Sequence, residues 1–534
     1  RNVYGTLLAD LSIRQDLSAL TKGLAAEASV SFDNIGGMNE TTNKEYRYMN
    51  SNASITSDGT LVTTPAIYGT DSETLGHTQP FERLMLRSDF QAKVDYNRTF
   101  GKHQVGGALI YDMQSVVKNG RNNSQKNQSV LVNATYTYDN RYSLNAVFNR
   151  SGSAYLPDGD KYSNYPAVSA AWIVSNEAFM EKVTPINLFK IRASYGLSGW
   201  DGNLSHELWR QSYGSGGAGY NFGVNAGGQS GGSEGDLPVI GLVAEKSQKA
   251  TFGFDLAAFD NRLNATVEGF YEKRSDILVS GANSTSGIIG ITVGQVNEGI
   301  YKYKGLDASL SWNDKIGDFH YGIGASMSYL NTEVVNVNQA YQEYDYLYTK
   351  GNRIGQMYGL EAIGFFNSQQ EINNSPLQTF SDVAPGDVKY KDQNGDNRID
   401  EKDVVKMFGS SVPRFYFGFN LNFSYKRLEL SADFQGMTGV TVSLLNSPLY
   451  SPLVSNGNIS NTFLNEEISW TPENKANATM PRLTTQENLN NYRASSLWYR
   501  DGSFLKLRNL LVAYTFPKSQ TRFADLKVFV QGTN

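Results

Sequence analysis

The chain has 534 residues with a formal net charge of -5, a length that points past one ordinary core to several soluble domains or one very large barrel. Its Lys and Arg are scattered and outnumbered by Asp and Glu, so nucleic acid is not an expected partner, and the absence of Cys excludes disulfide staples and thiolate metal sites. No run approaches the roughly 18 apolar residues of a membrane-crossing helix, whereas Tyr 32, Phe 27 and Gly 51 form an all-β profile of pleated surfaces and turns.

Arg1 opens the chain with neither an initiator Met nor a signal peptide, and the expectation is a piece of a longer protein. Sixteen strands are predicted, near residues 2–13, 22–34, 84–100, 102–116, 128–139, 141–151, 163–175, 188–197, 246–259, 262–279, 298–312, 318–331, 413–425, 428–436, 504–516 and 525–532. The signal is strict period-two alternation. Val132, Ala134, Tyr136 and Tyr138 alternate with Asn133, Thr135 and Thr137, and Phe319, Tyr321, Ile323, Ala325, Met327 and Tyr329 with His320, Gly322, Gly324, Ser326 and Ser328. Phe415, Phe417, Phe419, Leu421, Phe423 and Tyr425 share one face against Tyr416, Gly418, Asn420, Asn422 and Ser424. A soluble sandwich usually carries Lys and Glu on its outer face, whereas Asn, Ser, Thr and Gly suit a wet lumen.

Connections after odd-numbered strands are expected to be short, as at Asp139-Asn140, Asp260-Asn261 and Lys426-Arg427, and those after even-numbered strands mostly long, about 35–83, 198–245, 332–412 and 437–503. This rhythm puts turns on the periplasmic side of an outer membrane and loops outside. The expected fold is therefore a transmembrane antiparallel β-barrel. The Gly-rich stretch Gly214–Gly235 is read as flexible loop.

Several motifs fail on context. Gly214, Gly216 and Gly219 spell a dinucleotide fingerprint without a βαβ unit, and the strings around Ser230 and Ser233 lack the strand-turn-helix of a hydrolase nucleophile. His77, His103, His206 and His320 are too dispersed for a zinc or catalytic site. Aromatic residues near strand ends fit a membrane girdle better than carbohydrate stacking. One motif has sharp spacing: from Asp392 to Asp403 side-chain oxygens fall at positions 1, 3, 5, 9 and 12, with Ile399 at position 8. That pattern predicts an EF-hand-type calcium loop whose ligands are Asp392, Asn394, Asp396, the carbonyl of Arg398, and Asp403, serving to pin a long outer loop. Asn397 replaces the usual Gly at position 6 and Asp403 the usual Glu at position 12; Asn tolerates the left-handed conformation the turn needs.

Five stretches resemble the SusC-type (RagA-like) TonB-dependent outer-membrane transporters: Asp158–Met180, Phe189–Gly199, Gly386–Asp403, Leu428–Gly439 and Ser495–Pro517. They occur in family order along nearly the whole chain. The resemblance implies a 22-stranded barrel of which this chain supplies about sixteen strands, with the N-terminal plug and TonB-contacting segment outside it. It implies a SusD-like surface lipoprotein as partner, TonB as energy source, a glycan or oligopeptide as cargo, no enzymatic step, and the outer membrane of a Gram-negative, Bacteroidetes-like cell. A calcium-stabilised adhesion barrel and a solitary siderophore or cobalamin receptor are the competing readings.

Overall fold

The computed structural model describes residues 2–55, 60–78, 81–118, 124–221, 228–281, 283, 288, 290–291, 293–446, 468–484 and 488–534. Sixteen strands follow one another in a single antiparallel sheet whose order is the order of the chain. They are β1 (Asn2–Asp16), β2 (Leu24–Asn39), β3 (Phe81–Phe100), β4 (His103–Lys118), β5 (Ser124–Tyr138), β6 (Tyr142–Ser153), β7 (Tyr162–Ile173) and β8 (Ile186–Trp200). Then come β9 (Glu245–Ala258), β10 (Leu263–Ser280), β11 (Gln295–Ile316), β12 (Phe319–Asn336), β13 (Phe415–Tyr425), β14 (Leu428–Thr438), β15 (Phe504–Phe516) and β16 (Leu526–Thr533). Each matches an expected strand, and several run longer. The chain forms two compact units, Arg1–Thr135 with Val147–Tyr165 and Asp201–Trp209, and Tyr136–Ala146 with Pro166–Trp200 and Arg210–Asn534.

The tight reversals have the backbone that two-residue hairpins demand. Asp139 and Asn140 both take positive φ, 51° and 52°, and Lys426 sits at 54°. Such primed turns match the twist of the flanking strands. Their stiffness fixes register: Phe319 pairs with Tyr425 and Tyr425 with Leu428 without a slip along β12 to β14.

The expected rhythm of connections holds at most places and fails at three. The links from β4 to β5 and from β6 to β7 are short although they follow even-numbered strands, and that from β7 to β8 contains two short 3-10 turns, Val174–Asn176 and Ala178–Met180. The Gly-rich stretch, expected as flexible loop, instead includes a hairpin pairing Tyr213–Asn221 with Gly228–Glu234. Ladder hydrogen bonds need only backbone, so glycine composition concealed the pairing.

The faces of the strands decide what solvent they meet. On β5 and β6, Val130, Val132, Tyr136, Tyr138, Tyr142, Leu144 and Phe148 are 37% to 49% exposed, while Asn133, Thr135, Thr137, Ser143, Asn145 and Asn149 between them are half-buried. In the second unit Phe252 is 63% exposed and Leu310 51%. A wall that turns alternate large apolar residues outward and shelters Asn, Ser and Thr inverts the soluble pattern, and suits hydrocarbon outside and water within. No described helix is long and apolar enough to cross a membrane.

Candidate functional site

The polar face of the second unit carries an ion ladder. On β8 the Lys190 and Arg192 cations lie 3.5 and 3.4 Å from the Asp255 carboxylate of β9, and Arg192 also pairs with Glu268 of β10. Thr266 donates to Asp255 at 3.1 Å, and Ser194 and Thr251 bridge β8 and β9 at 2.8 Å. Further toward the long loops, Glu272 accepts from Arg274 at 2.6 Å and from Ser247 at 2.8 Å. His320 lies on the same polar face, between Lys315 and Ser424 in the register. Such a surface holds water and polar solutes.

Beyond the strands, residues 337–412, 468–484 and 488–503 build an ordered lobe from two long loops. One apolar cluster joins Leu360, Val388, Tyr390 and Ile399, and a second joins Met480 and Trp498, with Leu497 packed against both. Between the loops sits Asp387, wholly buried. Its carboxylate receives Arg482 through both oxygens, Nε at 2.7 Å and Nη2 at 3.2 Å, and the side-chain amides of Asn488 and Asn491 at 3.1 and 2.9 Å. Ala384 N–H donates to the same group at 2.7 Å. A buried carboxylate is tolerable when a bidentate guanidinium and several donors satisfy it. Asn491 Oδ1 and Asn490 Nδ2 then take up the N–H and C=O of Val388, at 2.8 and 2.9 Å, as a strand partner would.

Gly386 makes this approach possible. At φ 93° it adopts a conformation that favours glycine, and a Cβ there would stand 2.4 Å from the Trp470 ring. Burial pushes the Tyr390 phenol well above its ordinary range and that of Tyr492 up to about 12. Tyr390 donates its hydroxyl to the Asn490 carbonyl at 2.7 Å. Sequence reasoning missed Asp387, Arg482 and the Asn488–Asn491 run. Their only signal was an Asn-dense segment in a loop rich in aromatic residues.

The Asp392–Asp403 loop is part of this lobe, its Ile399 lying in the first apolar cluster. Asp392 accepts N–H bonds from Gly395 and Asn397 at 2.7 and 2.8 Å, Asp396 accepts from Arg398 at 2.8 Å, and Asn394 accepts from Asp396 at 3.1 Å. Asn397 takes φ 62°, the left-handed turn its position requires. Asp403, buried, accepts from Gln393 and Asp400 at 2.7 and 2.9 Å and so ties the start of the loop to its end. The oxygens are of the hard kind calcium takes, and each carboxylate keeps lone pairs beyond these bonds. Among the described residues no three acidic or histidine side chains stand grouped as a ready metal cage. The loop is stapled outward by the Tyr346 hydroxyl on the Lys402 carbonyl at 2.6 Å, by Lys402 on Glu343 at 2.8 Å, and by the Arg493–Glu401 ion pair.

Taken together, an antiparallel wall with apolar residues outside and polar residues inside, and long folded loops at one end, define the wall of a transmembrane β-barrel. No protein-family model matches the chain. It is 29% identical over 413 residues to TonB-dependent receptor P26 of Formosa agariphila, a match covering 75% of this chain and 40% of that protein. TonB-dependent receptor P3 of the same organism is 26% identical over 82% of the chain and 46% of its own length, and the TonB-dependent receptor SusC of Bacteroides thetaiotaomicron 22% identical over 72% and 38%. In fold the whole chain superposes on 59% of a chain in the structure of the RagAB peptide transporter, with a TM-score of 0.72 and 16% identity. The resemblance to the barrel portion of SusC-type, RagA-like TonB-dependent transporters therefore holds in both sequence and fold. The chain spans less than half the length of these curated relatives.

Proposed function

We propose that this chain forms the wall and outer loops of an outer-membrane importer for a glycan or an oligopeptide, working through TonB and with a SusD-like lipoprotein outside. The observation that carries the reading is the inverted wall: exposed Val130, Val132, Leu144 and Phe148 alternate with sheltered Asn133, Thr135 and Asn145. The ordered outer lobe supports it, since capture of a large solute needs a fixed surface, and the relatives named as TonB-dependent receptors favour uptake over adhesion. In this reading no bond is made or broken. Co-purification of the full-length protein from its native membrane tests it: a bound surface lipoprotein supports the paired importer, and a barrel recovered alone overturns it in favour of a solitary receptor.

The Asp392–Asp403 loop is further proposed to take a calcium ion on Asp392, Asn394, Asp396, the Arg398 carbonyl and Asp403, supplying a fixed positive charge that pins the outer lobe. Chelator is expected to increase protease cutting between residues 332 and 412 of the full-length protein. Equal cutting with and without chelator removes the metal and leaves the N–H bonds of the loop as its whole support.

A further inference from the structure

On the outward face of β10 and β11, the apolar band gives way to lysines at the end where the long loops lie. Lys273 stands directly opposite Lys302, and Lys304 opposite Tyr271, two residues nearer the band on the same face. Opposed residues on neighbouring strands have Cβ atoms only about 5 Å apart, so two like charges there destabilise the sheet unless an anion lies between them. Among the described residues no carboxylate lies within 4.0 Å of any of the three ammonium groups. Lys246, the next cation outward, is by contrast neutralised by Asp276 at 3.0 Å. Glu333 faces Lys302 across the β11–β12 ladder without forming an ion pair with it.

The rows below complete an amphiphile's profile. Tyr271 and Tyr329 are 46% and 39% exposed, at the level where aromatic girdles meet headgroups, and Phe252 and Leu306 lie beside them toward the turn end, 63% and 36% exposed. Solvated lysines extending to the interface would explain one cation in such a place. They do not explain two opposed cations and a third beside them, none of which is ion-paired within the described residues.

We infer that Lys273, Lys302 and Lys304 form a site for the phosphate groups of a phosphorylated membrane lipid, whose acyl chains lie along Phe252 and Leu306. The inference rests on the membrane-wall reading above. Three ammonium groups offer nine N–H donors to phosphate oxygens, and each contributes to anionic-surface attraction independently of shape.

The test uses the full-length protein in mild detergent, titrated with lipid A, with its dephosphorylated form and with sodium phosphate, and read by native mass spectrometry. Lipid A is expected to bind the K273A/K302A/K304A variant on the order of a hundredfold more weakly than the parent. Arginine at the three positions is expected to preserve binding, and the dephosphorylated lipid to bind the parent and the alanine variant alike. Unchanged lipid A affinity in the alanine variant overturns the site, and sodium phosphate binding as tightly as lipid A overturns the lipid as its occupant. A heat-dependent shift in gel mobility is followed in parallel. Its presence in both proteins keeps the wall reading standing whatever the lipid result, and its absence from the parent overturns that reading itself.

Discussion

The strands β9 to β15 and the loop lobe of residues 337–412, 468–484 and 488–503 belong to the same compact unit and obey opposite rules. In the wall, Phe252, Leu310, Ile323 and Leu430 are left 38% to 63% exposed. In the lobe, Trp498, Val388, Ile399 and Leu360 are at most 1% exposed, and even the charge of Asp387 is folded inside. The contrast teaches that burial of apolar surface is a statement about the surrounding solvent. The lobe faces water and collapses in the ordinary way, whereas the wall is already in contact with hydrocarbon and gains nothing by hiding Leu from it.

The largest expected break in this contrast is Trp498→Ala. The ring stacks on Tyr492 at 5.5 Å and its Nε1 donates to the Asn491 carbonyl at 2.7 Å. Its loss leaves a cavity and an unpaired carbonyl, at a cost of about 4 kcal/mol. Limited proteolysis of the full-length protein should open residues 337–412, 468–484 and 488–503 while the heat-dependent mobility of the barrel stays unchanged. Collapse of both together would show that wall and lobe are one cooperative unit. Asp387→Asn comes next. It removes the charge that holds the Arg482 fork, at a cost of about 3 kcal/mol, and the same proteolysis should show an intermediate loss.

These two residues also mark how far the sequence was legible. All sixteen strands could be read because a strand writes itself every second residue, and Phe415 to Tyr425 repeats one decision six times. The turns at Asp139-Asn140 and Lys426-Arg427 were legible for the same local reason. The Asp387 cluster was not, because its side-chain donors lie 95 to 104 residues away and no local period connects them. The calcium-type loop stands between these cases: its spacing and its left-handed Asn397 are local and were foreseen, whereas its bonds to Tyr346, Glu343 and Arg493 depend on the folded lobe.

A third substitution tests the wall from its other side. Leu310→Arg places a guanidinium in the apolar band of β11 and is expected to cost about 2 to 3 kcal/mol in lipid, measured by denaturant unfolding of the full-length protein in bilayers. Ser309→Arg, one residue along and facing the polar side, should cost far less. Equal costs would mean that the two faces share one solvent, and the contrast between wall and lobe would fail.

The smallest expected effect is in the lobe and depends on pH. Burial first, then the nearby Asp387 charge, raises the Tyr492 pKa up to about 12 from the ordinary 10. The folded phenol thus keeps its proton where the unfolded chain has lost it, so its contribution to stability is complete below pH 10 and disappears as pH rises to about 12. Because the ring is partly open to solvent, the effect is discounted to about 1 kcal/mol. Protease protection of the lobe should therefore decline across this window, and Tyr492→Phe should flatten that decline. An identical pH profile in the Phe variant would assign the alkaline loss to other groups, of which Tyr390, buried deeper in the same lobe and also shifted upward, is the next to replace.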